Sequence, residues 1–384
     1  MREIKQNKVL NSIKKANESG AYVRTCKKGK PNDECYTSMQ DIMDELSYWA
    51  NKGKFKDKNI ICPCDWNILG DVKDNKNVYS ITINYSDNGV DVLGNSVKKA
   101  AVQISLFDEE NKSTKIDIKE NEIDDLLRNQ LVCNFVRVLT QNARKWGIKS
   151  ITMSGYNPAL DRGIKFQDID YSRYDLVITN PPFSLLSEFC KKIMIDNPHL
   201  DFIFLAPFLN RVTPGLGLYL MLKKAFLGSG IHLNPTFDNP TPENNYSGTK
   251  TVACDWIVSW SDAQDERDAE DYKTGIKYET YKDEFLEMPY MIMKDGTHAI
   301  RVTTKYPDDY DGWMFGNIGI LDRLNQHKYE WYMVDANKWY NEHKDFCPFA
   351  MNNNGRFNRE EILWLDQNKT KKSFAGIVFR KKKN

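Results

Sequence analysis

The chain has 384 residues, of which 41% are apolar and 28% are charged, and its net charge is +1. This composition is typical of a water-soluble chain with a sizeable core, and the length allows one large domain or two ordinary ones. No apolar stretch is long enough to cross a membrane. The first residues show no secretory signal and the eight cysteines are dispersed, so we expect reduced thiols and a cytoplasmic location.

The charges are distributed unevenly. Residues 1–30 and 356–384 each carry nine Lys or Arg, whereas residues 262–271 carry six acids. Basic ends are compatible with a phosphate-backbone partner, but they are as typical of solvated tails, so charge alone does not decide between the two. The acidic stretch 261–271 is the best linker candidate.

Apolar patterns predict that helices and strands alternate through the first two thirds of the chain. The predicted helices are 38–49 (with Thr37 or Ser38 as N-cap), 122–146, 187–195 and 216–227, and the predicted strands are 59–65, 150–153, 174–179, 202–206 and 252–260. This alternation indicates an α/β fold with a doubly wound, mostly parallel sheet. We also expect a hairpin around Asp87-Asn88-Gly89 and a loop at 234–248.

The most informative stretch is 174–183, Tyr-Asp-Leu-Val-Ile-Thr-Asn-Pro-Pro-Phe. Its apolar and β-branched run, Leu176 to Thr179, is typical of a strand buried on both faces. Pro181 and Pro182 cannot continue a central strand, so the chain must leave the sheet there. Because ligands of open α/β sheets bind at the carboxyl ends of the strands, we expect the loop Asn180–Phe183 to lie in a binding site.

This loop suits methyl transfer to an amine. The Asn180 amide oxygen and the Pro181 carbonyl could both accept hydrogen bonds from one exocyclic amino group, while the Phe183 ring stacks on the attached base. Two such acceptors would expose the lone pair of a conjugated amine, so proximity and electrostatics would supply most of the catalysis. The alternative interpretation is a rigid strand-exit turn with a buried Phe.

Asn180-Pro181-Pro182-Phe183 resembles the catalytic signature of S-adenosylmethionine-dependent amino methyltransferases that act on DNA bases. Three further stretches make the chain similar to the EcoRI-type adenine-specific (N6) DNA methyltransferase family, namely 33–37, 62–65, and 308–312 with 320–322. The resemblance implies a Rossmann-like methyltransferase domain at 1–260, with a candidate hairpin insertion at 66–121. A target-recognition region would follow at 261–384.

The resemblance also implies a site for S-adenosyl-L-methionine. The positions that match the family's cofactor motifs are Tyr36, Thr37, Cys62, Pro63, Cys64, Asp65, Asn134, Phe135, Tyr156 and Asp168. Tyr36 and Thr37 would lie against the methionine part of the cofactor, and Asp65 would lie near the amino group of that part. Asp168 would contact the amino group of the cofactor's adenine, and Tyr156 could stack on the adenine ring. Each could instead have a structural role, such as packing for Tyr36 or capping for the two acids.

The chain also departs from the family pattern. The Gly-x-Gly turn common to methyltransferases is absent after Ile60-Ile61, and Ser154-Gly155-Tyr156 replaces the acid that usually holds the ribose hydroxyls. Cys62 and Cys64, with Cys26 and Cys35, invite a zinc interpretation, but Cys-x-Cys on a strand is poor zinc spacing. We therefore expect no metal.

The implied substrate is an adenine flipped out of double-stranded DNA, and a cognate restriction endonuclease in the same cell is a further candidate partner. Candidate DNA contacts are the 234–250 loop, the Asn- and Arg-rich stretch 352–359 and the basic residues 380–383, which could equally be a solvated tail. Three other functions stay open. They are cytosine-N4 DNA methylation, glutamine-N5 protein methylation and DNA binding without catalysis.

Overall fold

The structure is a computed structural model. It describes residues 23–24, 34–65, 78–85, 89–90, 96–97, 99–106, 113–119, 123, 133–157, 162–230, 236–238, 249–251, 253–302, 305–334, 336–350 and 376–383. Its helices are α1 (Met39–Asn51), α2 (Asn134–Trp146), α3 (Leu186–Met194), α4 (Gly217–Met221), α5 (Asp262–Glu270), α6 (Tyr278–Tyr281) and α7 (Asn337–Glu342).

The strands follow in chain order. Up to residue 157 they are β1 (Val23–Arg24), β2 (Glu34–Thr37), β3 (Asn59–Cys62), β4 (Val78–Asn84), β5 (Gly89–Val90), β6 (Ser96–Val97), β7 (Lys99–Leu106), β8 (Ser113–Lys119), β9 (Ser150–Ser154) and β10 (Tyr156–Asn157). The next are β11 (Arg162–Gly163), β12 (Leu176–Thr179), β13 (Asp201–Pro207), β14 (Phe226–Leu227), β15 (Thr236–Asp238), β16 (Thr249–Thr251) and β17 (Cys254–Val258). The last are β18 (Leu286–Ile292), β19 (His298–Arg301), β20 (Met314–Asn317), β21 (Tyr329–Met333) and β22 (Gly376–Lys381).

The chain divides into two compact units. The first contains Met1–Pro207 and Gly228–Ser259, and the second contains Phe208–Leu227 and Trp260–Asn384. Each unit has its own sheet and its own buried apolar residues.

Eight described strands of the first unit lie in one sheet in the order β17, β13, β12, β3, β9, β4, β7, β8. Four adjacent strands of this sheet, β13, β12, β3 and β9, are parallel. The outer strands run antiparallel to their neighbours. All four residues of β12 are buried, as a central parallel strand requires. The structure thus confirms an α/β fold whose central strands are parallel, and it adds antiparallel strands on both sides.

Local capping signals fix the helices that flank this sheet. Ser38 is the N-cap of α1, and its side chain accepts hydrogen bonds from the N–H groups of Gln40 and Asp41. Gly147 ends α2 in the left-handed conformation, with a φ of 67°. Helices α1 and α2 pack against each other. The prediction that Thr37 or Ser38 is the N-cap is therefore confirmed, and the structure selects Ser38.

Three strands within 66–121, β4, β7 and β8, extend the sheet from its β9 side. The hairpin predicted around residues 87–89 gives β4 the wrong partner, because β4 pairs with β7 and not with the chain that directly follows the turn. The chain just after the expected turn, β5, makes only a short pairing with β6. The physical reason is strand length, since β7 offers eight residues in alternating pattern whereas the described part of the stretch after the turn, β5, offers two.

Three other local predictions need correction. The acidic stretch 261–271 is not an irregular linker but contains α5, in which the Ser261 hydroxyl donates to Asp265 at 2.7 Å. The helix predicted at 216–227 ends at Met221, and a left-handed residue, Lys223, leads towards β14. The loop predicted at 234–248 contains β15, which pairs with both β2 and β16.

The second unit contains a sheet in the order β18, β19, β20, β22, β21. The basic carboxyl-terminal residues are not a solvated tail, because Arg380 and Lys381 end β22, which lies between two other strands. The Arg380 guanidinium forms a 2.6 Å ion pair with Glu330 and stacks 4.0 Å from the Trp313 ring centroid. These pairings give the final basic residues a structural role.

Candidate active site

The carboxyl ends of three neighbouring strands bring the predicted acid and the predicted loop together. Asp65 follows β3, and its backbone N–H donates to the carbonyl of Ser154 at the end of β9 over 3.2 Å. Asn180 follows β12, and its backbone N–H donates to Asp65 Oδ1 over 3.5 Å. At the opposite end of β12, Asp175 accepts hydrogen bonds from the backbone and the side chain of Asn59, which fixes the β12–β3 register.

The N-terminus of α2 completes this arrangement. The Cys133 thiol donates to Asp65 Oδ1 at 2.9 Å, and the Cys133 backbone N–H donates to the Asp65 carbonyl at the same distance. The Asn134 side-chain amide donates to the Thr37 carbonyl at 3.0 Å. A continuous set of contacts therefore joins Thr37, the start of α2, Asp65 and Asn180.

Several buried polar atoms at these strand ends have no hydrogen-bond partner among the described residues. They are Thr37 Oγ1, Asp65 Oδ2, Thr179 Oγ1 and both side-chain amide atoms of Asn180. Each of these side chains is at most 3% exposed. An unsatisfied buried polar group costs about 1–3 kcal/mol, so this cluster makes the strand ends a candidate binding site for a polar ligand.

Burial also shifts the acid–base properties of the site. It raises the pKa of Asp65 to about 6, while hydrogen bonds from Cys133 and from the Asn180 backbone oppose this rise. The Thr179 hydroxyl makes no hydrogen bond of standard geometry, yet it also favours the carboxylate and lowers the pKa of Asp65. Burial raises the pKa of the Cys62 and Cys133 thiols well above the usual range. The site is therefore one carboxyl group surrounded by neutral donors.

The predicted catalytic loop leaves the sheet as a stiff turn. Pro181 is buried, and Pro182 has a φ of −63° directly before a 3-10 turn at Phe183–Leu185. The Leu185 N–H donates to the Pro182 carbonyl at 2.8 Å, and α3 follows. The Phe183 side chain is half-buried. The loop can thus present the Asn180 amide and the Pro181 carbonyl from a rigid base.

The other predicted cofactor residues have varied surroundings. Phe135 is fully buried and packs edge-on against Trp256 at 5.7 Å, which is a core contact. Tyr156 is half-buried, with Lys165 Nζ 5.1 Å from its ring centroid. Asp168 is exposed at the end of a 3-10 turn, and within the described chain no hydrogen bond joins it to Asp65 or Asn180.

The remaining positions lie on β2 and β3. The backbone of Tyr36 pairs with Asp238, but its side chain lies outside the described residues. Cys62 and Pro63 are buried, and Cys64 is half-buried. The structure therefore brings Thr37, Asp65, Asn134 and Asn180 together. The cofactor roles of all ten predicted positions stay predictions.

Sequence reasoning missed two members of the site, Cys133 and Thr179. A cysteine directly before Asn134 occupies an N-cap position that usually holds Ser, Thr, Asp or Asn, and this unusual choice was the available signal. Thr179 was counted only as part of an apolar strand, although it precedes the Asn-Pro-Pro-Phe loop.

The two carboxyl-terminal stretches of the resemblance have structural contacts. Asp308 accepts hydrogen bonds from the backbone N–H groups of Thr274 and Gly275 at 3.0 and 2.7 Å. Asp322 forms a 2.7 Å ion pair with Arg211, whose side chain is 1% exposed. These acids stabilise the second unit.

Among the described residues, no cluster of three or more His, Cys, Asp or Glu could hold a metal ion, and no helix has the length and apolarity to span a membrane. A family model described as "Adenine-specific methyltransferase EcoRI" matches residues 22–382, nearly the whole chain. Neither the curated proteins nor the solved structures include a match to this chain.

Proposed function

Because the chain belongs to the EcoRI family of adenine-specific DNA methyltransferases, we propose that it moves the methyl group of S-adenosyl-L-methionine to N6 of an adenine flipped out of double-stranded DNA. The observation that carries the proposal is the cluster of unpartnered buried polar atoms on Thr37, Asp65, Thr179 and Asn180. A carboxylate, two hydroxyls and an amide suit two ligands, a methyl donor that carries a cationic amine and a neutral adenine base.

The acceptor half of the reaction is assigned to the Asn-Pro-Pro-Phe loop. The Asn180 amide oxygen and the Pro181 carbonyl accept the two hydrogens of the adenine amino group, which localises the lone pair on N6. The half-buried Phe183 ring stacks on the base and replaces part of the stacking that the base loses on leaving the duplex. Positioning and preorganised electrostatics then supply most of the rate.

The donor half of the site is assigned to Asp65 and Thr37. S-adenosyl-L-methionine supplies an electrophilic methyl group on a sulfonium, together with an ammonium group that favours a carboxylate partner. With a pKa of about 6, Asp65 is ionised at neutral pH, and its Oδ2 has no partner among the described residues. Tyr36, Tyr156 and Asp168 are assigned to the donor on the family resemblance.

The proposed division of labour places donor binding and catalysis in residues 1–260, with a Rossmann-like sheet, and target recognition in residues 261–384. The compact second unit, which contains Trp260–Asn384, supports this division, and it also includes Phe208–Leu227. The stretch 352–359 remains a candidate for base contacts but lies outside the described residues. The pairings of Arg380 and Lys381 make these residues poor candidates for DNA contacts.

The test is methyl transfer to DNA by the purified chain, followed by single-molecule sequencing of DNA from cells that express it. We expect tritium from the labelled donor in duplex DNA and modified adenines at one recurring sequence. Label in cytosine or in protein would contradict the adenine assignment. DNA binding without transfer would favour a non-catalytic relative.

A further inference from the structure

Cys133 lies at the N-cap of α2, and its side chain contacts a neighbour outside the helix. N-cap positions favour residues whose side-chain oxygen accepts a backbone N–H of the first turn. Cys133 makes no such capping hydrogen bond of standard geometry, although the backbone N–H of Val136 lowers the pKa of its thiol. Its thiol, which is 1% exposed, instead donates to Asp65 Oδ1 at 2.9 Å. The N-cap residue of this helix therefore contacts the one buried carboxylate of the site.

The same contacts also restrain the backbone around that carboxylate. The Cys133 N–H donates to the Asp65 carbonyl, and the Asp65 N–H donates to Ser154, so the peptide groups on both sides of Asp65 are held. Asp65 Oδ1 accepts from the Cys133 thiol and from the Asn180 backbone. Within the described chain, Oδ2 is then the one atom of this carboxyl group without a partner.

We propose that Cys133 is a positioning residue of the methyltransferase site, whose thiol holds Asp65 Oδ1 so that Oδ2 can receive the cationic amino group of the methyl donor. The inference rests on the proposed function and extends it, because Oδ1 also contacts the backbone of Asn180. One carboxylate, oriented by Cys133, thus links the donor to the loop that holds the base.

The thiol suits this task chemically. Burial, with the nearby Asp65 carboxylate as a second cause, raises the pKa of Cys133 well above its usual value, so the group stays an S–H donor at neutral pH. Among the described residues, the titratable groups that face Asp65 are the thiols of Cys62 on β3 and Cys133 on α2. The Thr179 hydroxyl at the end of β12 and the N–H of the next residue, Asn180, do not titrate near neutral pH. A transition near pH 6 therefore reports Asp65.

The test compares the wild type with Cys133→Ser, Cys133→Ala and Cys190→Ala between about pH 5 and about pH 8.5. Calorimetry measures the Kd for S-adenosyl-L-methionine, and transfer of tritium to DNA measures the rate. Cys190→Ala is the matched control, because Cys190 is also a fully buried thiol but lies on α3. In the wild type, donor binding should weaken as the pH falls through about 6, because protonation removes the charge from Asp65.

Cys133→Ser keeps a neutral hydrogen-bond donor. Its Kd for the methyl donor should therefore stay within about threefold of the wild-type value, a change no larger than the loss of one neutral hydrogen bond would cause. Cys133→Ala should weaken binding of S-adenosyl-L-methionine about tenfold at pH 7, since the Asp65 carboxylate loses a hydrogen-bond donor. For the same reason, the acidic limb, which is the fall in binding at low pH, should move up by about one pH unit. Cys190→Ala should leave the limb in place. An unchanged limb in Cys133→Ala, or an equal change in Cys190→Ala, would overturn the positioning role.

A second measurement does not require Cys133→Ala to fold. The infrared difference between the wild type and Cys133→Ser isolates the Cys133 S–H stretching band, which should shift as the pH crosses about 6. A band that does not respond to pH contradicts the contact with Asp65. If the wild type neither binds the donor nor methylates DNA, the proposed function fails as well. If it does both while the limb and the band are unaffected, only the positioning role fails.

Discussion

The strand ends around Asp65 and Asn180 differ from the polar interior of the second unit in how their buried groups are satisfied. In the second unit, the buried Arg211 pairs with Asp322 and donates to the Ile318 carbonyl. Buried Asp268 likewise accepts from the Gln264 side chain and the Gln326 backbone. At the strand ends of the first unit, four buried side chains keep polar atoms without partners among the described residues.

This difference between partnered and unpartnered buried groups distinguishes residues that stabilise the fold from residues available to bind a ligand. Partnered buried groups hold the fold, and removing one partner leaves the other uncompensated. Unpartnered buried groups cost stability in the free protein and are compensated when a ligand binds. Mutations in the two regions should therefore have opposite profiles.

The largest effect should come from Asn180→Ala. Loss of one preorganised group at the reacting amine should lower the rate of methyl transfer about a hundredfold to a thousandfold. The free energy of unfolding should change little, because the Asn180 side-chain amide has no partner among the described residues. Tritium transfer and urea unfolding measure the two quantities. Asn197→Ala, which removes an amide that bonds the Lys192 carbonyl, is the control and should keep the wild-type rate. A near wild-type rate in Asn180→Ala would exclude the proposed mechanism.

Asp322→Ala should show the opposite profile. It leaves the buried Arg211 guanidinium without its carboxylate, which should lower the free energy of unfolding by about 3 kcal/mol. The control is Glu279→Ala, because the exposed Glu279–Lys282 pair should contribute no more than about 0.5 kcal/mol. Chemical denaturation measures both variants. Equal losses in the two would mean that burial does not distinguish these ion pairs.

Asp65→Asn should make the free protein more stable at pH 7 while it abolishes donor binding. Folding raises the pKa of Asp65 from 3.8 to about 6, so the cost of burying its charge is present above about pH 6 and disappears as the pH falls towards 4. Removal of the charge should therefore add about 3 kcal/mol to the free energy of unfolding at pH 7, and almost nothing near pH 4. Denaturation at both pH values checks this. A loss of stability at pH 7 would show that the carboxylate is a structural group.

The smallest effect should come from Arg380→Met. Its pair with Glu330 and its stacking on Trp313 are partly exposed, so we expect a loss of about 1 kcal/mol. Lys381→Met is the control, because its partner Asp311 is largely exposed. Methyl transfer by the folded Arg380→Met variant should keep its salt dependence. A reduced salt slope would instead assign Arg380 to phosphate contact.

Particular residues show how far sequence reasoning reached. The buried strand Leu176–Thr179, its proline exit and the Ser38 cap all follow from neighbours within a few positions, and the structure has each of them. The expected linker at 261–271 failed because six acids suggest a solvated segment, whereas Asp268 is buried with its partners in α5. The final lysines and Arg380 looked like a tail because their pairing partners lie far away in the chain.

The sequence by itself determined the family, the central strands and two residues of the candidate site, Asp65 and Asn180, because motifs and apolar periodicity are local properties. Only the tertiary structure decided that β4 pairs with β7, that β22 is an inner strand and that Cys133 holds Asp65. The Cys133 thiol and the Asn180 N–H reach Asp65 across 68 and 115 residues of chain. Contacts over such separations depend on which strands become neighbours in the sheet, and no local pattern specifies that choice.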